Sequence, residues 1–362
     1  MDKELDEKSL QEREHFFKII QSFKAYKNFS RSIVNKRLAY LNTLPQVQQV
    51  ALKKYRNKLE QLVKCIDQNS RIIRLIIQDI EKLFENVQHD WEQNPPSRPK
   101  LTVADVDKVQ ITLKQFYRDW SKDGSEERLL CYEPIVAAIE ERFPADTCRR
   151  EDIHVLVPGA GLGRLAFEIA RRGFTCQGNE FSLFMLFASN FILNRSGGVE
   201  IYELYPWVHQ CDNNMSAEDQ VAPIRFPDVD PSELYKMYGT SRFSMVAGDF
   251  LEVYNSDEQW DCVATCFFID CANNIYTFIE KIYNVLKPGG VWINLGPLQY
   301  HYSTSLNEDS IEPSFEVVTE IIKSLGFVIE VEKTGMRTLY SQNPKSMLKR
   351  VYDSVFLICS KS

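Results

Sequence analysis

"VLVPGAGLGRLAFEIARRGFTCQGNE", from Val155 to Glu180, decides the fold. "IHVLVPG" reads as a short apolar strand and "RLAFEIARRG" as an amphipathic helix closed by Gly173. "FTCQGNE" reads as a second strand that ends on an acid. Gly159, Gly161 and Gly163 sit in the turn between strand and helix. Glycine accepts positive φ there and lets backbone approach a ligand, and the helix N-terminus that follows can hold negative charge. Glu180 falls about 20 residues after the first glycine, where a carboxylate commonly accepts hydrogen bonds from ribose hydroxyls. A glycine turn by itself can be no more than a sharp strand-to-helix connection. Strand, turn, helix, strand and acid together point to a nucleoside-bearing ligand. A dinucleotide fingerprint would place glycine or alanine at position 164, and Arg164 stands there instead.

Outward from this unit the α/β alternation continues. "FSMVAGDF" reads as a third strand, "WDCVATCFFID" as a fourth and "VWINLGP" as a fifth. "FVIEVEK" is a sixth and "VYDSVFLICS" a seventh. Helices lie between them: "SLFMLFASNFILN", with Ser182 as a candidate N-cap, "NNIYTFIEKIYNVLKPGG", expected to end at Pro288, Gly289 and Gly290, and "FEVVTEIIKSLG". Strands alternating with helices predict a parallel sheet. The seventh strand and Arg164 favour the seven-stranded, Rossmann-like sheet of class I S-adenosylmethionine-dependent methyltransferases over a dinucleotide fold. In "GDF", Asp249 and Phe250 follow the third strand, where an acid can bond an adenine amino group and a ring can stack on the base.

Two regions stand outside the alternation. Residues 1–120 read as helical, with no glycine before Gly124. Val47, Ala51, Tyr55, Leu59, Leu62 and Ile66 mark one apolar face, with Pro45 at the helix start. A second apolar series runs from Ile72 to Val87, and "QNPPSRPK" (93–100) reads as a loop. The expected organisation is a helical region over 1–120 and a methyltransferase domain over 121–362. An insertion at about 195–240 follows the domain's second helix and is too long for an ordinary connection. The apolar helix faces suit a homodimer or a cover over the cofactor equally well.

The formal charge of −7 argues against broad nucleic-acid binding, which needs a basic face. No apolar run approaches the length of a membrane span. Nine cysteines without a CxxC pair read as reduced thiols in a cytoplasmic protein, or one that also enters the nucleus. No His/Cys/Asp cluster has metal-ligand spacing.

"VPGAGLGRLAFEIARRGF", "NEFS", "YPWVHQ", "FFIDCANN" and "GPLQYHY" resemble the carnosine N-methyltransferases, over roughly residues 10–360. Members of that family often carry a polar leader, so the resemblance is compatible with a longer natural N-terminus. It implies methyl transfer from S-adenosylmethionine to an imidazole nitrogen of carnosine (β-alanyl-histidine), giving anserine. A histidine methyltransferase acting on other peptides or proteins is the alternative, and a cofactor-binding interaction module a more distant one. The implied cofactor contacts are the glycine turn, Glu180, Asp249, Phe250 and Cys266 at the end of the fourth strand. Gln115 and Arg118 of "QFYRDW" are implied at the methionine end, where an arginine can pair with the carboxylate. The implied substrate contacts are Asp270, His301, Tyr340 and Tyr352.

The chemistry of the acceptor gives these residues work to do. Imidazole is mostly neutral at pH 7, with a pKa of about 6.5, and only one nitrogen of the neutral ring has a free lone pair. A carboxylate that accepts the N–H of one nitrogen makes the other the nucleophile and stabilises the growing ring charge, as a buried aspartate does for histidine in hydrolase triads. Asp270, at the ligand edge after the fourth strand, suits that role; its alternative is to cap the helix beginning near Asn273. His301, after the fifth strand, suits a contact to the substrate carboxylate or ring nitrogen, with general base as the lesser alternative. Tyr340 and Tyr352 offer hydroxyls and rings. "YPWVHQ" in the insertion reads as a substrate wall or as structural support.

Overall fold

The computed structural model describes residues 2–80, 99–239, 242–255 and 259–362, with side chains from Leu10 onward. In chain order the elements are α1 (Asp2–Thr43), α2 (Gln46–Ala51), α3 (Lys53–Ile77), α4 (Val103–Trp120), α5 (Ser125–Cys131), α6 (Glu133–Arg142), β1 (His154–Pro158), α7 (Arg164–Arg171), β2 (Thr175–Glu180) and α8 (Leu183–Arg195). β3 (Tyr202–Leu204), α9 (Ala217–Gln220), β4 (Ile224–Phe226), α10 (Glu233–Tyr238), β5 (Phe243–Ala247), α11 (Phe250–Val253) and β6 (Trp260–Cys266) follow. The chain then closes with α12 (Ile275–Val285), β7 (Leu286–Gly296), α13 (Phe315–Ser324), β8 (Phe327–Thr338) and β9 (Tyr352–Lys361).

All seven expected strands join one sheet in the order β5-β2-β1-β6-β7-β9-β8. Pairing is parallel from β5 through β7 and antiparallel at β9. This is the class I methyltransferase sheet. From β1 the chain works outward through β2 to β5, then returns to β6 on the other side of β1. That reversal opens a crevice at the carboxyl ends of β1 and β6, where ligands bind in open α/β sheets. Central β1 is buried along four consecutive residues, as a strand covered on both faces must be. Edge strand β8 is exposed at seven of its twelve residues.

The chain divides into two compact units. The sheet unit comprises Gly124–Ser182, Pro231–Ser341 and Arg350–Ser362, and the helical unit Met1–Asp123, Leu183–Asp230 and Gln342–Lys349. The sheet unit is built on an apolar core that includes Val263, Ile279, Trp292 and Leu357. This partition is not the linear one at residue 120, because α8 and the insertion gather with the N-terminal helices. The insertion is itself partly ordered: β3 and β4 pair antiparallel in a small second sheet.

Three expectations change in detail. The apolar face expected from Val47 is broken at Leu52, where α2 gives way to α3. Leu59, Leu62 and Ile66 are buried, but Val47 is 81% exposed, and Pro45 precedes the helix as its N-cap residue. The series from Ile72 continues α3 through Ile76; its part beyond Ile80, and residues 93–98 of the expected loop, lie outside the described residues. The helix expected to run to Pro288 stops at Val285, and "LKPGG" already belongs to β7. Proline disfavours helical geometry in the residue before it, so Lys287 is extended; the register shift between Trp260 and Cys262 of β6 absorbs the extra residues. Among the described residues no helix is long and apolar enough to cross a membrane.

Candidate active site

The glycine turn follows β1. Gly159, Gly161 and Gly163 all take positive φ, at 66°, 56° and 81°. A Cβ on Gly159 would lie 2.4 Å from Cδ2 of Phe268, so only glycine fits beneath that ring. Phe268 cannot easily withdraw: it stacks on Phe278 and meets Phe250 edge-on. The N–H of Gly161 donates to Glu180 Oε2 at 2.8 Å, and the N–H of Ser182 to Oε1 at 2.8 Å. Burial pushes the Glu180 carboxyl above its ordinary range, against the pull of the Ser182, Gly161 and Phe181 N–H groups. A held, acceptor-only carboxylate beside the turn is the group a ribose requires.

Arg164, which breaks the dinucleotide spacing, is buried, and its Nε donates to Glu168 Oε1 at 2.8 Å. Arg172 reaches the same carboxylate at 2.6 Å. Burial alone would raise the Glu168 pKa, but Arg164 and its neighbours hold it below the usual range. Position 164 therefore serves the ion cluster of α7.

Asp249 follows β5, and its Oδ1 caps α11 by accepting from the Leu251 N–H at 2.7 Å. Phe250 is 3% exposed and packs against Phe268, Phe278 and Tyr254; its ring is part of the core. Cys266 ends β6.

Asp270 lies in the short turn after β6 and is 2% exposed. It does not cap α12; Asn274 does, accepting from the Tyr276 N–H. The Asp270 Oδ2 accepts from the Gln299 N–H at 2.7 Å, and its backbone carbonyl from the His301 N–H at 3.2 Å. Burial raises the Asp270 pKa, while the Gln299 N–H and the nearby His301 oppose the shift. One aspartate thus ties the turn after β6 to the segment after β7. His301 is exposed, with the Cys271 thiol 3.8 Å from its Nε2.

The two expected tyrosines meet across a residue that sequence reading missed. The Phe267 ring lies 5.0 Å from that of Tyr340 and 5.6 Å from that of Tyr352. Its φ of +54° is rare for a bulky side chain, and such strain clusters at functional sites. The Tyr352 hydroxyl donates to Gln299 Oε1 at 3.0 Å. Phe267, Phe268 and Gln299 carried no periodic or spacing signal; only the doubled phenylalanine before Asp270 hinted at packing there.

Gln115 and Arg118 lie three residues apart on α4, both buried, within the helical unit; Arg118 Nη1 is 3.5 Å from Asp119. "YPWVHQ" belongs to that unit. Trp207 packs on Tyr117, the His209 Nε2 lies 2.9 Å from the Tyr26 hydroxyl, and Asn69 exchanges two hydrogen bonds with the Tyr205 backbone. All nine cysteines are free thiols.

The carnosine N-methyltransferase family model matches residues 95–362. The chain is 46% identical to the carnosine N-methyltransferase of Mus musculus, over 98% of this chain and 88% of that protein. It is 45% identical to that of Drosophila melanogaster, over 97% and 80%. Against the Schizosaccharomyces pombe protein the identity is 37%, over 94% of each chain.

Proposed function

We propose that this chain, which belongs to the carnosine N-methyltransferase family, transfers a methyl group from S-adenosylmethionine to an imidazole nitrogen of carnosine, giving anserine. The observation that carries the acceptor half is Asp270: buried, fixed by the Gln299 N–H and relieved of any capping duty by Asn274. The donor half fits the residues present. Gly159 leaves no room for a side chain under Phe268, and Glu180 is held as an acceptor beside it.

When bound, S-adenosylmethionine supplies an electrophilic methyl group on a sulfonium. Glu180 and Asp249 are assigned to its ribose and adenine, with the glycine turn, the Phe250 backbone and Cys266 lining that side. Gln115 and Arg118 are assigned to its methionine end. Asp270 accepts the imidazole N–H, so the opposite nitrogen carries the lone pair and the ring charge that grows during transfer has a counterion. His301 and the Tyr340–Phe267–Tyr352 group orient the dipeptide. The attacking nitrogen needs no strong base, so most of the acceleration is expected from alignment.

Incubating the protein with labelled S-adenosylmethionine and carnosine, then assigning the product's N-methyl by NMR, tests the reading. Stoichiometric anserine is expected. Label on a histidine-containing peptide with none on carnosine would replace the reading with a peptide histidine methyltransferase. Nine free thiols support action in a reducing compartment, cytoplasm or nucleus, which imaging of a tagged chain would check. A homodimer through the N-terminal helices is supported by the exposed Tyr40, Val47 and Val50; Val47→Glu should then halve the sedimenting mass.

A further inference from the structure

Gln299 touches both halves of the acceptor site. Its backbone N–H holds Asp270, and its side-chain oxygen takes the Tyr352 proton at 3.0 Å. A phenol has one proton to donate and two lone pairs to offer. With that proton engaged by Gln299, the exposed side of the Tyr352 oxygen can only accept. The backbone N–H of the same Gln299 holds the Asp270 carboxylate, so an acceptor oxygen and a carboxylate are set on one residue, an arrangement that selects a cation and repels a carboxylate. A β-alanyl-histidine dipeptide carries one cationic group near neutral pH, its terminal ammonium.

We propose that Gln299 is a specificity-determining positioning residue: it sets the polarity of Tyr352, so that the tyrosine oxygen reads the ammonium end of the dipeptide. The inference rests on the carnosine reading above. It predicts discrimination against a peptide whose amine is blocked, and it makes that discrimination depend on a residue placed to act through Tyr352.

The test compares kcat/KM for carnosine and for N-acetyl-carnosine in the full chain and its variants. The wild type should prefer carnosine by about 10- to 100-fold, the worth of one hydrogen bond to a charged group. Gln299→Glu, which can only accept, should keep or widen the preference. Gln299→Leu and Tyr352→Phe should shrink it to about threefold or less, chiefly through the KM for carnosine. A Gln299→Leu enzyme that discriminates like the wild type overturns the proposal. So does a Gln299→Glu enzyme that behaves like Gln299→Leu, because the amide would then be the donor and Tyr352 would face a carboxylate. Failure of the wild type to methylate either peptide overturns the carnosine reading, and this inference with it.

Discussion

At Asp270 the demands of chemistry and of stability oppose each other. Burial raises the Asp270 pKa, so the folded chain holds this proton to higher pH than the unfolded one. Its contribution to stability is complete below the unfolded pKa and is lost as pH rises through the higher folded value. Asp270→Asn keeps an oxygen for the Gln299 N–H but removes the charge. We expect kcat/KM to fall about 10²-fold or more, as when a preorganised electrostatic partner is lost. The melting temperature should not fall. The gap between variant and wild type should widen as pH rises from about 4 and level off above the folded pKa; a melting temperature that drops at neutral pH would show that the carboxylate supports the fold. Gly159 makes the opposite case, a residue whose replacement strains the fold directly. Gly159→Ala forces an alanine to φ +66° and a methyl group into Phe268, at a cost of about 1–3 kcal/mol, read by urea unfolding. The need for glycine was legible in the spacing; the ring that enforces it was not, because Phe268 lies 109 positions away in the chain.

Elements were more legible than their ends. All seven strands could be read from their sequences: central β1 and β6 are apolar runs because they are buried on both faces, while edge strand β8 reads from the alternation of "FVIEVEK". Their order and the antiparallel pairing of β9 were not legible in the alternation, which predicts parallel pairing throughout. The start of α12 and the end of α2 depend on single caps and breaks, which sequence patterns place only loosely. The choice of cap also separates function from structure within one short segment. Asn274 caps α12 and Asp270, four residues earlier, does not. Asn274→Ala should therefore cost about 1 kcal/mol of stability and leave kcat/KM within about threefold, the reverse of Asp270→Asn. Parallel urea titrations and steady-state kinetics on the two variants check the contrast. Equal losses of activity would mean that Asp270 acts mainly through the helix.

On the scale of the whole molecule, what could not be read is which distant segments gather. The helical unit draws on three stretches of chain, joined by polar contacts that leave no local pattern. Asn69 bonds Tyr205, Tyr26 meets His209, and Gln210 bonds Ser346. An apolar face shows that a helix will be covered, but not by what. Two consequences follow. Burial lowers the His209 pKa to about 4, with Lys114 and Arg37 adding to the shift. The folded chain therefore binds fewer protons than the unfolded one between that value and about 6.5, and stability that is complete above 6.5 is lost as pH falls to 4. His209→Gln, which can still accept from Tyr26, should flatten the loss of melting temperature over that window. The second consequence concerns residues 1–123 alone. Cut from the rest, Tyr26 and Asn69 lose His209 and Tyr205, and Phe116 loses Phe191 and Phe226, rings 6.3 and 4.8 Å away. The exposed apolar faces would then exceed what isolated helices can support. The fragment should show helical circular dichroism without a cooperative melt and with poorly dispersed amide resonances. A sharp transition and dispersed spectra would mean that the first three long helices fold without the insertion, and that the boundary near residue 120 is a true domain edge.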